Sequence, residues 1–301
     1  MMSLINALPG AVAQGLIWGI MAIGVYLTFR ILDIADLTVD GSLGPGGAVC
    51  IMLMLSGQNV WVAMAGATAA GMAAGLATGI LHTFMGIPAI LAGILTQLGL
   101  YSINLKTMGK ANQAINVDKY DLLVSLRFIR KVPFYKNTIL IVAIAIILLI
   151  VVLYWFFGTE LGCSLRATGC NDKMARAQGI NTDFNRVLGL MISNGLVALS
   201  GAMLCQYQGF ADINMGRGAI VIGLAAVIIG EAIFGKVFRN FGFKLLAVAL
   251  GSIIYYLVLQ VVIWLGIDTD LLKLLSAGVV AVFLAIPTWK SRYFSNMGKR
   301  G

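Results

Sequence analysis

Apolar residues run along this chain in stretches of about twenty, separated by short polar or basic connections. A single-faced helix would instead repeat them every three or four positions. Stretches of this length suit helices that cross roughly 30 Å of hydrocarbon, at about 20 residues each. The pattern predicts spans at about 8–29, 41–57, 60–81, 86–105, 137–157, 187–208, 218–235, 242–265 and 271–288. The second is short and opens on Gly41, Gly44, Pro45, Gly46 and Gly47, so it reads as a broken helix. Two connections are longer than the rest, 106–136 and 158–186. The expected fold class is all-α: a polytopic transmembrane helical bundle of about nine spans, with some broken. Residues 1–301 read as a single transmembrane domain, ending in a basic tail at 289–301. The first ten residues lack a basic n-region and no A-x-A-like site follows the first span, so no cleaved signal peptide is expected.

Composition sharpens this picture. Hydrophobic residues make up 60% of the 301 residues and charged residues 11%, against about 25% charged in soluble domains. The formal charge of +9 comes from 21 Lys+Arg and 12 Asp+Glu. In a membrane protein it orients loops, and no basic run with interleaved aromatics points to nucleic acid. Cys50, Cys163, Cys170 and Cys205 are scattered without a CxxC pair, so neither a metal site nor a disulfide framework is expected. The single histidine, His82, reads as a residue of a short loop at a helix end.

Lys290, Arg292, Lys299 and Arg300 place the tail in the cytoplasm. Four spans back, parity puts 158–186 on the same side, where it carries Arg166, Lys173, Arg176 and Arg186. The 236–244 loop agrees, with Lys236, Arg239 and Lys244. The 106–136 loop disagrees. It falls outside by parity yet carries Lys106, Lys110, Lys119, Arg127, Arg130, Lys131 and Lys136. Either a re-entrant segment alters the count or this loop docks something acidic.

Candidate chemistry is sparse. Gly230, Gly235 and Lys236 echo a phosphate-binding loop, but Val237 stands where a Mg²⁺-binding hydroxyl is needed and no strand precedes. The lone histidine has no Ser partner at membrane depth, so enzymatic activity is not expected. Ionisable residues inside spans are costly and need a reason. Asp33, Asp36 and Asp40 precede the glycine-rich run, and Gly209–Gly218 in the second half carries Asp212, Asn214, Gly216 and Arg217. Paired Gly-interrupted segments in two halves point to a transport path. Its candidates are Asp36, Thr38, Asp40, Gly41, Ser42, Thr96, Gln97, Asn194, Gln206, Asn214 and Glu231. The polar residues within spans serve equally as hydrogen bonds between helices, and Glu231 is one turn from Lys236. Small residues at Gly15 and Gly19, and at Gly71, Gly75 and Gly79, suit close helix packing.

The 158–186 segment holds a run from Ser164 to Gln178 that favours a helix, with Gly179 as its stop. On composition it serves either as a solvated loop helix or as a contact for another protein. Its Leu165-Arg166-Ala167-Thr168, Asn171 and Gly179-Ile180-Asn181 resemble the cytoplasmic coupling loop of permease subunits of ATP-binding-cassette importers. The likeness is to the branched-chain amino-acid permease family, and it continues through Ser193–Ala202 and the glycine-punctuated 216–235 stretch. Ile31–Ser42 resembles a subgroup paired with lipoprotein-type binding proteins and often assigned to aromatic amino-acid uptake. Gly44-Pro45-Gly46-Gly47 departs from the smoother helix start of that family.

The resemblance implies a type II-like importer permease for amino acids, working with a second permease copy or close homologue. Two ATPase subunits drive it and an extracytoplasmic substrate-binding lipoprotein feeds it. ATP and Mg²⁺ belong to the ATPase, with no cofactor in this chain. It also implies that Leu165, Arg166, Ala167, Thr168, Gly169, Asn171, Met174, Ala175, Gly179 and Ile180 couple to the ATPase. The competing expectation is an ion-coupled secondary transporter, for which Asp36, Asp40 and Glu231 are the candidate acids.

Overall fold

The computed structural model describes residues 2–117, 119–120, 122–129 and 137–265, with isolated positions between 271 and 285; side chains are described from residue 7 onward. Among these residues the chain forms ten α-helices and one two-stranded ribbon. Helix α1 (Met2–Tyr26) ends in a π-helical turn, Leu27–Ile31. It is followed by α2 (Thr38–Leu55), α3 (Val60–Thr83), α4 (Ala89–Met108) and α5 (Thr138–Gly158). Two short helices come next, α6 (Glu160–Cys170) and α7 (Asp172–Ala177). Then come α8 (Thr182–Gln208), α9 (Ala219–Phe234) and α10 (Phe241–Trp264). Strands β1 (Asn112–Ala114) and β2 (Phe210–Asp212) pair antiparallel. Seven described helices are long and apolar enough to cross a membrane. Helix α9 has 16 residues, a rise of about 24 Å, short of a full crossing. Most of the ninth expected span, 271–288, and all of the tail at 289–301 lie outside the described residues.

Asparagine and threonine begin the helices. Asn137, Thr159, Asn171 and Asn181 each accept a backbone N–H from the first turn of α5, α6, α7 and α8 through the side-chain oxygen. Cα-to-Cα approach then sets the packing. Gly71, Gly75 and Gly79 on α3 step past Ala198, Leu190 and Val187 on α8, so these helices are antiparallel. Gly15 and Gly19 on α1 lie against Ile253 and Ala249 on α10. Where lipid removes the hydrophobic drive, such small-residue faces let backbones meet.

The glycine-rich start of the second span is not a break: α2 is one continuous helix through Pro45. Gly46 is pressed against the Ala198 backbone, where any Cβ would fall on a carbonyl oxygen, and Gly201 of α8 is pressed against Leu43 in the same way. The glycines are there for contact, and the helix survives because its neighbours enclose it.

Direction follows from these registers. Helices α1, α3, α5 and α9 run toward the face that carries α6 and α7; α2, α4, α8 and α10 run away from it. The β1–β2 ribbon joins the 106–136 loop to the connection after α8, so that loop lies on the opposite face from 158–186.

Candidate functional site

The 32–37 connection folds back between α1 and α2, with Asp33 at a left-handed φ of 56°. It delivers Asp36 into the interior, 3% exposed. The Asp36 carboxylate accepts the Thr38 N–H at 2.9 Å and the Asn194 Nδ2 amide at 2.7 Å. Asn194 Oδ1 in turn accepts the Ser42 hydroxyl at 2.6 Å. A second chain of hydroxyls joins three helices: Thr38 to Thr78 at 2.7 Å and Thr78 to Thr96 at 2.9 Å. A carboxyl group buried this deeply needs such hydrogen-bond partners. The network ties α2, α3, α4 and α8 together at one level.

Asp40 does something different. From the first turn of α2 it accepts the Gly218 N–H at 3.0 Å and the Ile220 N–H at 2.8 Å. It therefore caps the N-terminus of α9, where free N–H groups and the helix dipole favour an anion. After β2 the chain turns back through 213–218 to reach this cap, and Gly216 packs on the Asp40 backbone. The two glycine-rich segments of the two halves thus meet at this cap. Beside them, α2, α4 and the returning segment enclose a cavity of about 240 Å³.

The expected path residues therefore fall apart into groups. Asp36, Thr38, Ser42, Thr96 and Asn194 form the buried network. Asp40, Gly41 and Gln97 line the cavity. Asn214 is exposed in the returning turn, its N–H donated to Asp212 at 2.7 Å. Gln206 fastens the 106–136 loop by accepting the Leu123 N–H at 3.2 Å. Glu231 pairs with Arg30 at 3.0 Å, and not with Lys236, so it links α9 to the π-helical turn. His82 bridges to the Ile87 carbonyl at 2.9 Å and steadies the α3–α4 connection. Tyr101, Asn104 and Arg217, absent from the expected set, also line the cavity. The signal for Asn104 was an amide inside an apolar span.

On the other face, the 164–178 run is two helices and not one. Asn171 sits at φ −162°, ends α6 and caps α7 by accepting the Met174 N–H at 3.1 Å. Gly179, at φ 81°, stops α7 where expected. The segment is anchored inward. Leu165 is fully buried, Asn185 donates to Thr168 at 2.9 Å and Arg186 pairs with Asp172 at 3.0 Å. Gly169 packs against the Ile31 backbone and Ala175 is buried, so these small residues make room for the chain's own body. Arg166, Asn171, Lys173, Met174 and Gly179 are exposed, while Ala167 and Ile180 are half-buried.

A family model described as branched-chain amino acid transport system / permease component matches residues 8–290. The chain is 38% identical over 283 residues to the tyrosine transport system permease protein of Clostridioides difficile (strain R20291), covering 93% of this chain and 91% of that one. It is 36% identical over 284 residues to an uncharacterised protein of Rickettsia prowazekii (strain Madrid E), covering 93% and 97%. An autoinducer 2 import system permease protein of Yersinia pestis (strain Pestoides F) is 30% identical over 214 residues, covering 70% and 58%. No solved structure matches. With seven membrane-length helices and this match, the chain is a multi-pass protein of the bacterial inner membrane, and it belongs to the family of permease components of branched-chain amino-acid transport systems.

Proposed function

We propose that this permease imports aromatic amino acids of the tyrosine class. A binding lipoprotein delivers the substrate, and ATPase subunits drive transport by gripping α6 and α7. The likeness to a tyrosine transport permease along nearly the whole chain supports the substrate class. The coupling role is supported by one arrangement: a short helical pair anchored to the bundle on one side and bare on the other. Its exposed side offers Arg166, Asn171, Lys173 and Met174. Its inner side touches the end of α1 through Gly169 and Ile31, and Arg30 continues from there to Glu231 on α9. A push on α6 thus has a contiguous route to the helix whose far end Asp40 holds. The partner ATPase supplies the hydrolysis, since no described stretch of this chain combines a phosphate-cradling loop with its Lys and hydroxyl.

Met174 tests the coupling because it is 64% exposed on the short helix α7. Truncation or charge at the centre of a protein contact costs about 2 kcal/mol or more when the residue anchors it. Met174→Asp in the reconstituted importer should lower both tyrosine uptake and stimulated ATP hydrolysis. The binding protein's own affinity for tyrosine should stay as it was. Unchanged uptake and hydrolysis would reduce the segment to a connector.

A further inference from the structure

The cavity between α2, α4 and the returning 213–218 segment has a chemistry that the buried network lacks. Asn104 is 3% exposed, yet its amide makes no hydrogen bond among the described residues. Its amide therefore has its full hydrogen-bonding capacity to offer to whatever enters the cavity that it lines. The amide is held in the wall because Gly44 has no side chain; a Cβ there would come within 2.7 Å of Asn104 Nδ2. Pro45 offers no N–H to the carbonyl of Gly41 four residues earlier, and Gly41 lines the same cavity. The Asp40 carboxylate has accepted two N–H groups, about half of its acceptor sites. Gln97 stands alongside with no hydrogen-bond partner among the described residues. Arg217, exposed, lines the same cavity, and its guanidinium makes no ion pair among the described residues.

We propose that this cavity is a transit subsite for the head group of a zwitterionic α-amino acid: Asp40, the Gly41 carbonyl and the Asn104 amide take the ammonium, and Arg217 takes the carboxylate. The proposal rests on the amino-acid reading above and names the groups that would carry it. Size argues the same way. At about 240 Å³ the space lies below the roughly 300–1,000 Å³ of pockets that enclose whole ligands. It fits an ammonium, a carboxylate and the carbon between them, leaving the side chain to project past Tyr101 at the mouth, 44% exposed. The subsite would read what all amino acids share, and discrimination among side chains would remain with the delivering protein.

The experiment is uptake into vesicles by the complete importer, with tyrosine and phenylalanine as probes. Arg217→Gln and Asn104→Leu should each lower the uptake of both by about tenfold, the worth of one hydrogen bond to a charged group. Arg217→Lys should recover part of the loss, since it keeps the charge and loses the two-pronged geometry. Unfolding midpoints of the variants, measured in parallel, separate a lost contact from a lost fold. Normal uptake by both loss variants overturns the subsite while leaving the importer intact. Equal loss in Arg217→Lys and Arg217→Gln, or a loss that tracks the unfolding midpoint, overturns it too by assigning these residues to structure. Wild-type importer that moves neither amino acid overturns the aromatic substrate reading itself.

Discussion

Helices α2 and α5 are spans of similar length, 18 and 21 residues, and they are built on opposite plans. Helix α5 is an almost unbroken run of Ile, Leu, Val, Ala and aromatics, yet only 17% of its spanning window is buried in the chain. Helix α2 carries Asp40, Ser42, four glycines and a proline, and 67% of its window is buried. In a soluble domain the order would be reversed. Here the surrounding lipid is as apolar as leucine, so apolarity gives no reason to be inside. What earns an interior position is the capacity for close backbone contact and for hydrogen bonds that lipid cannot offer. The polar, glycine-rich helix is the centre, and the greasy one is the rim.

The largest effect should come from removing the close contact. In Gly46→Leu the new side chain must displace the Ala198 backbone, which Ser42–Asn194 and the Gly201–Leu43 contact hold in place. Overpacking costs about 1–3 kcal/mol where side chains can yield, and more where backbone must move. We expect little monodisperse protein and a collapsed unfolding midpoint in detergent. A Gly46→Leu protein with a wild-type midpoint would break the account of α2 as a packing helix.

The buried network should come second. Asn194→Leu keeps the volume and strips Asp36 of a donor and Ser42 of an acceptor. The expected loss is about 1–3 kcal/mol, read as a lower unfolding midpoint. Adding Asp36→Leu should cost less than the two single losses combined, because the pair acts as a unit. Strict additivity would show that Asn194 and Asp36 are not coupled.

Much of the bundle was legible from the apolar runs, because a span must be long and continuous whatever it packs against. The run of glycines at 41–47 was misread as a break for a physical reason. Glycine weakens a helix in water, while inside a bundle its missing side chain admits a neighbouring backbone, and which of these applies depends on the partner helix. The division at Asn171 was hidden because asparagine is an ordinary loop-helix residue until its side chain is seen to cap a second helix. Glu231 was matched to its neighbour in sequence, Lys236, since a partner 201 residues away at Arg30 leaves no local trace. The two glycine-rich segments were visible as a pair in the sequence, but neither their meeting nor the carboxylate cap that joins them was. Asn104 was left out although Gln97 of the same helix was a candidate, and Arg217 was seen only as a member of the second glycine-rich segment, because the sequence does not say which of these residues face one space.

The smallest effect should come from the rim, and its smallness is what tests the comparison. Leu148 lies on α5 at 63% exposure, beside Ile147 and Val151 at 58% each. In water-soluble proteins a Leu→Ala change that matters does so by opening a cavity, at about 2–5 kcal/mol. No cavity can open where the side chain touches only lipid, since acyl chains flow into the space and offer the same contacts. Leu148→Ala should therefore shift the stability of the chain by less than about 0.5 kcal/mol. The check is the unfolding midpoint in lipid nanodiscs, beside the same measurement on Val142→Ala, a smaller deletion at a site on α5 that is fully buried. If the larger truncation at Leu148 cost more than the smaller one at Val142, burial within the chain would not be what ranks these positions. A protein partner would then have to cover that face of α5, and the contrast between rim and centre would hold only for the isolated chain.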